Sequence, residues 1–182
     1  MKQTIRIIGG KYRGKKISFP VVDGLRPTPD RVRETLFNWL MREIHNARCL
    51  DAFAGSGALG LEALSRGASQ VVLVEQAPIA YRNLQQIVTQ FHSPAISLYH
   101  ADILKLIPTL PSCFDIIFLD PPFSQEIIPT VVTSITQHNL LKLGGLLYLE
   151  SEKAIELSPD IWQQIKLKQA GQVVYGLYQK YA

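Results

Sequence analysis

The sequence predicts an α/β fold: a mostly parallel sheet of seven strands, closed by a C-terminal antiparallel hairpin and preceded by a small N-terminal hairpin and a helix. Three observations carry this. From Cys49 onward short apolar runs alternate with segments of helical periodicity, which is the pattern of a parallel sheet. The first of those runs enters Gly55-Ser-Gly-Ala-Leu-Gly60, a G-x-G-x-x-G turn from strand to helix. The last 18 residues break the alternation with two strand-like runs joined at Gly171.

In order, residues 4–8 and 15–19 read as strands joined through Gly9-Gly-Lys-Tyr-Arg-Gly14, a basic hairpin. Thr28 is expected to cap a helix with Pro29 in its first turn, and Val32, Leu36 and Leu40 carry it to about Ile44. Strands are expected near 49–54, 70–75, 95–100, 114–119 and 145–150, and helices near 58–66, 77–91 and 126–138. Residues 165–170 and 173–178 form the closing hairpin. The segment from Val21 to Pro27 is the natural linker, dividing a hairpin appendage (1–27) from a main domain (28–182) that includes its leading helix, 28–45.

Composition narrows the function. The chain has 182 residues, 47% of them hydrophobic, enough for one domain with a real core. No apolar stretch approaches the ~20 residues of a membrane span and the N-terminus lacks a signal-peptide core, so a cytoplasmic protein is expected. Cys49 and Cys113 each precede a strand-like run and are expected to be reduced core thiols. His45, His92, His100 and His138 show no ligand spacing, so no metal is expected. The first 33 residues hold nine Lys and Arg against Asp23 and Asp30, within a net charge of +4. Basic character concentrated at one end, with Tyr12 and glycines interleaved, points to a polyanion such as RNA. Its candidate contacts are Arg6, Lys11, Tyr12, Arg13, Lys15, Lys16 and Arg26.

The glycine loop points to a nucleoside cofactor. Gly55 and Gly57 let the backbone approach a ligand, and Gly60 lets the next helix pack against the sheet. Glu75 ends the second strand where an acid can bind a ribose. A nicotinamide dinucleotide and S-adenosylmethionine both fit that acid. Asp51, inside the first strand, would repel a pyrophosphate but attract an ammonium, and Asp102 is placed to meet an adenine amine. The candidate cofactor residues are Asp51, Phe53, Gly55, Ser56, Gly57, Glu75, Gln76, Asp102 and Ile103.

The fourth strand ends in Asp120-Pro-Pro-Phe123. Asp120 and the carbonyls of Pro121 and Pro122 offer acceptors, the prolines contribute no N–H donor, and Phe123 offers an apolar face. Such a corner suits the exocyclic amine of a nucleobase. No hydride transfer requires it, so it favours the sulfonium cofactor.

These blocks resemble a known family. Arg6-Ile-Ile-Gly-Gly-Lys-Tyr-Arg-Gly14, Leu25-Arg-Pro-Thr-Pro-Asp-Arg-Val-Arg-Glu-Thr-Leu-Phe-Asn-Trp-Leu40, Leu50-Asp-Ala-Phe-Ala-Gly-Ser-Gly57 and Leu119-Asp-Pro-Pro-Phe123 are together similar to the bacterial RsmD family, guanine-N2 methyltransferases of 16S ribosomal RNA. The last two blocks are shared with many amino-methyltransferases, and the N-terminal ones specify the family. Pro29 departs from the Thr or Ser of the pattern. The resemblance implies a Rossmann-like class I methyltransferase fold, S-adenosylmethionine as donor, and transfer to one guanine of the small subunit, with its proteins already bound. A monomer is expected. A DNA adenine-N6 methyltransferase shares the Asp-Pro-Pro-Phe corner, and a dinucleotide-dependent oxidoreductase or a non-catalytic RNA-binding module are the readings from other classes.

Overall fold

A computed structural model describes residues 2–20, 28–111, 113–122 and 127–182. Arg26 and Phe123, and the whole of the expected linker, lie outside the described residues.

Strands β1 (Lys2–Arg6) and β2 (Lys16–Pro20) pair antiparallel, with Ile5 opposite Ile17. Helix α1 (Asp30–Trp39) follows, then alternate β3 (Arg48–Asp51), α2 (Ala58–Ser65), β4 (Gln70–Glu75), α3 (Pro78–Thr89) and β5 (Ile96–His100). The chain continues through α4 (Ile103–Leu106), a 3-10 turn over Ile107–Thr109, β6 (Phe114–Leu119), α5 (Ile128–Gln137), β7 (Leu141–Ser151), β8 (Trp162–Ala170) and β9 (Val173–Lys180). The large sheet has the order β5-β4-β3-β6-β7-β9-β8, parallel from β5 to β7 and antiparallel beyond. The expected fold class is therefore the observed one. From β3 the chain builds outward to β5 and then returns to build β6 and β7, so the crevice between β3 and β6 is the switch point where such sheets bind ligands.

Both faces of the central strands β3, β4 and β6 and of the second half of β7 are buried, while β8 at the edge is mostly exposed, and the pleat assigns each side chain to a face. Cys49, Val71, Leu73, Ile116, Phe118 and Tyr148 pack with α1, α2 and α3, whereas Leu50, Val72, Val74, Ile117, Leu119 and Leu147 pack with α4 and α5. The N-terminal hairpin joins the first core through Ile5, Ile7, Ile17 and Phe19. Each such side chain contributes roughly 1.5–3 kcal/mol on burial. Among the described residues no helix is long and apolar enough to cross a membrane.

Local readings needed correction. Helix α1 ends at Trp39, because the chain tightens at Leu40, whose carbonyl accepts both the Glu43 and Ile44 amides. Pro29 takes the cap position and Thr28 does not cap: its hydroxyl donates to Asp120 Oδ2 at 2.9 Å instead. Cys49 is buried, but Cys113 is exposed, held at φ 83° in the turn before β6. Helix α4 and the 3-10 turn had no counterpart in the sequence reading. They are too short to show a period.

Candidate active site

Four carboxylates gather at the carboxyl ends of four adjacent parallel strands. Asp51 and Glu75 end β3 and β4, Asp120 directly follows β6, and Glu150 lies near the end of β7. All share one pleat parity. Asp51 is level with Leu73 and Phe118, Phe118 with Tyr148, and Glu75, Asp120 and Glu150 follow two residues later on their strands. They therefore project toward the side covered by α1, α2 and the hairpin.

The glycine loop is fixed by two of these acids. Glu75 accepts the Gly55 amide at 2.8 Å and the Ala77 amide at 2.6 Å, tying the loop after β3 to the end of β4. Asp51 Oδ2 accepts the Gly60 amide at 2.9 Å in the first turn of α2. A Cβ on Gly60 would lie 2.2 Å from Leu73 and 3.2 Å from Asp51 Oδ2, so only glycine lets α2 sit this close to the sheet. Gly57 adopts φ 81° immediately before the helix. Asp51 Oδ1 is buried and has no hydrogen-bond partner among the described residues. Burial pushes the Asp51 carboxyl up to about 7, with help from Glu75 and against the Gly60 and Phe53 amides.

The remaining expected cofactor residues line the same end of the sheet. Ser56 is buried, Phe53 and Gly55 are half-buried, and Gln76 is exposed with its carbonyl 3.1 Å from His100 Nε2. Asp102 caps α4 by accepting the Leu104 amide at 2.9 Å, and Ile103 packs beneath it.

At the amine corner Pro121 is buried and Pro122 half-buried. Burial pushes Asp120 well above its ordinary range, Glu150 and Asp51 add to this, and the Thr28 hydrogen bond opposes it. Glu150 is raised too, by burial, with the Tyr148 and Thr28 hydroxyls opposing; the Tyr148 hydroxyl donates to its Oε2 at 2.9 Å. Thr28, Tyr148 and Glu150 were missed by the sequence reading. The signal for Glu150 was present, since it ends an apolar strand as Glu75 and Asp120 do.

Of the basic residues, Arg6, Lys11, Arg13 and Lys16 are exposed. Tyr12 and Lys15 help to fasten the hairpin. The Tyr12 hydroxyl donates to the Phe91 carbonyl at 3.1 Å, and Lys15 Nζ donates to the Gln90 carbonyl at 2.7 Å while lying 4.8 Å from the Phe91 ring. On the other side, buried Glu62 accepts the Ile8 and Gly9 amides at 2.8 and 2.9 Å and pairs with Arg66 at 2.7 Å. Arg33 is fully buried. It donates to Asp30 at 2.5 Å and to the Arg6 carbonyl at 3.0 Å, with Glu62 at 3.7 Å.

A Rossmann-like sheet with a glycine loop at its switch point and an Asp-Pro-Pro corner on the neighbouring strand defines a class I methyltransferase, and comparison with known proteins agrees. The profile of the family described as Conserved hypothetical protein 95 matches residues 5–179, and the chain belongs to that family. It is 44% identical to Ribosomal RNA small subunit methyltransferase D of Haemophilus influenzae, over 98% of this chain and 95% of that one. Identity to the Escherichia coli K12 protein of the same name is 41%, over 98% and 91%. The solved structure of yhhF from Escherichia coli superposes with a TM-score of 0.90 at 41% identity, covering 99% of both chains.

Proposed function

We propose that this protein transfers the methyl group of S-adenosylmethionine to the exocyclic N2 amine of one guanine in 16S ribosomal RNA. The observation that carries the reading is Asp120, an acceptor beside two prolines, across the β3–β6 crevice from the glycine loop. The relatives named Ribosomal RNA small subunit methyltransferase D supply the RNA.

The residues present fit the donor. Asp51 Oδ1 is a buried oxygen lacking a partner among the described residues, and four carboxylates on one side of the crevice suit a ligand carrying an ammonium and a sulfonium. Gly55, Ser56 and Gly57 would hold its methionine part with Asp51, Glu75 its ribose, and Asp102, Gln76 and Ile103 its adenine. When bound, the donor supplies a methyl group activated by positive sulfur.

The chain's own residues do the rest. Asp120 and the Pro121 carbonyl accept hydrogen bonds from the amine, favour its pyramidal geometry and stabilise the positive charge that develops on nitrogen. Asp120 then takes the released proton. Phe123 would stack on the extruded base, recovering about 1–3 kcal/mol of the unstacking cost. Holding the amine in line with the methyl group is the other large contribution.

In this reading residues 1–27 form the RNA-contacting appendage of the catalytic domain 28–182. Glu62 and Ser65 hold the hairpin backbone and Phe91 holds the Tyr12 side chain, while Arg6, Lys11, Arg13 and Lys16 face the phosphates and Arg26 is a further candidate contact. The substrate is the small subunit with its proteins bound, and the enzyme acts as a cytoplasmic monomer. The test is incubation with methyl-labelled donor and unmodified small subunits. Label in the RNA is expected, and label in protein overturns the reading.

A further inference from the structure

We propose that Trp39, Tyr175 and Lys168 form a second RNA subsite, which holds a nucleotide beside the target guanine by stacking its base on the indole and pairing its phosphate with the lysine. This rests on the reading of the protein as a methyltransferase of small-subunit RNA.

The sheet places these residues in line with the amine corner. Leu119 of β6 pairs with Leu149 of β7, so Asp120 and Glu150 come next on neighbouring strands. Glu150 pairs with Tyr175 of β9, and Tyr175 pairs with Lys168 of β8. Asp120, Glu150, Tyr175 and Lys168 therefore form one row from the end of β6 to β8, and residues in a row project to the same face. Neighbouring strands lie about 4.8 Å apart, which puts Tyr175 about 10 Å from Asp120 along the row.

Helix α1 bridges the same distance. The chain enters it from Thr28, bonded to Asp120, and leaves it at Trp39. The Trp39 ring stacks on Tyr175, with centroids 5.5 Å apart and planes 25° from parallel. Tyr175 is buried, whereas Trp39 is half-buried and keeps part of its indole open. Lys168 Nζ lies 5.9 Å from the centre of that ring. This is the outer limit of a cation–π contact, so the ammonium sits at the aromatic surface without being committed to it.

Charge selects the occupant. From Ile161 to Ala182 the chain carries Lys166, Lys168 and Lys180 and no Asp or Glu. Lys180 is buried and donates to the Leu141 carbonyl at 3.3 Å. Lys166 and Lys168 are exposed, share a face, and form no ion pair among the described residues. An open aromatic ring beside two such cations fits a single-stranded nucleic acid, which offers a base to stack and a phosphate to pair. The hairpin is fastened to α2 on the β3–β4 side of Asp120, and this patch lies on the β9–β8 side, so the two hold RNA on both sides of the target guanine.

The test measures methyl transfer to unmodified small subunits by wild type, Trp39→Ala, Trp39→Phe and the double variant Lys166→Glu with Lys168→Glu. Binding of S-adenosylhomocysteine is the check on folding. Trp39→Ala is expected to raise KM for the subunit about tenfold while kcat and S-adenosylhomocysteine affinity change less than about twofold, and Trp39→Phe to stay within about threefold of wild type. The lysine variant is expected to raise KM and to lower the slope of log KM against log salt by about one to two. If Trp39→Ala does not fold, the lysine variant decides. An unmoved KM in the variants that fold overturns the subsite, and so does a loss of kcat or S-adenosylhomocysteine affinity as large as the rise in KM, which marks a packing role. A benzophenone side chain at position 39 is expected to crosslink to RNA, and crosslinking to a ribosomal protein instead also overturns it. Absence of label in RNA with wild type would overturn the underlying function.

Discussion

Glu75 accepts the Gly55 amide at 2.8 Å across 20 residues of chain, making the strand-end acid and the glycine loop one unit. An acid expected to bind a ribose also sets the shape of the loop that would hold the rest of the ligand. Glu75→Ala is therefore expected to weaken S-adenosylhomocysteine binding roughly 10- to 100-fold, the worth of a charged hydrogen bond. Titration calorimetry measures this.

Asp51 gives the ligand-free protein a pH dependence. Its carboxyl is raised from 3.8 to about 7, so the folded state binds more protons than the unfolded state between those values. Stability should fall as pH rises through that window, by up to about 1.4 kcal/mol per pH unit for this group, and level off above it. Urea unfolding from pH 5 to 8 is expected to show the decline, and Asp51→Asn to make it shallower.

Glu62 anchors the hairpin. It accepts two backbone amides and pairs with Arg66, with the buried Arg33 guanidinium nearby. Glu62→Ala is expected to destabilise the protein by about 3–5 kcal/mol, because it strands a buried cation as well as two amides. Denaturant unfolding checks this, and Arg66→Ala, whose side chain is partly exposed, is expected to cost much less.

The exposed cations should act on substrate and not on the fold. Reversing Lys11, Arg13 and Lys16 to Glu is expected to raise KM for the small subunit and flatten its salt dependence, with the thermal midpoint nearly unchanged. Steady-state assays over a range of salt concentrations measure both. An unchanged salt slope removes the hairpin from the RNA interface.

Much of this was legible in the sequence. Apolar runs ending in Asp51, Glu75 and Asp120 gave strands and candidate site together, because a parallel strand buried on both faces is a continuous apolar segment and its polar end is where the core stops. Gly60 was readable as a packing glycine for the same reason. Thr28 was misread as a cap because Thr-Pro is a local helix signal, whereas its hydroxyl is taken by a residue 92 positions away. Type and charge single out Tyr12 and Lys15 in the sequence, whereas their fastening of the hairpin to Gln90 and Phe91 is a long-range contact that the sequence does not display. Strand order, and with it the placing of Asp120 and Glu150 at the ends of neighbouring strands, depends on long-range contacts that periodicity does not encode.

The most direct measurement is nucleoside mass spectrometry on small-subunit RNA after incubation with S-adenosylmethionine and either wild type or Asp120→Ala. The expected result is N2-methylguanosine at one position with wild type, and none with Asp120→Ala despite undiminished S-adenosylhomocysteine binding. A methylated adenine, or the same product at an unchanged rate from Asp120→Ala, would contradict it.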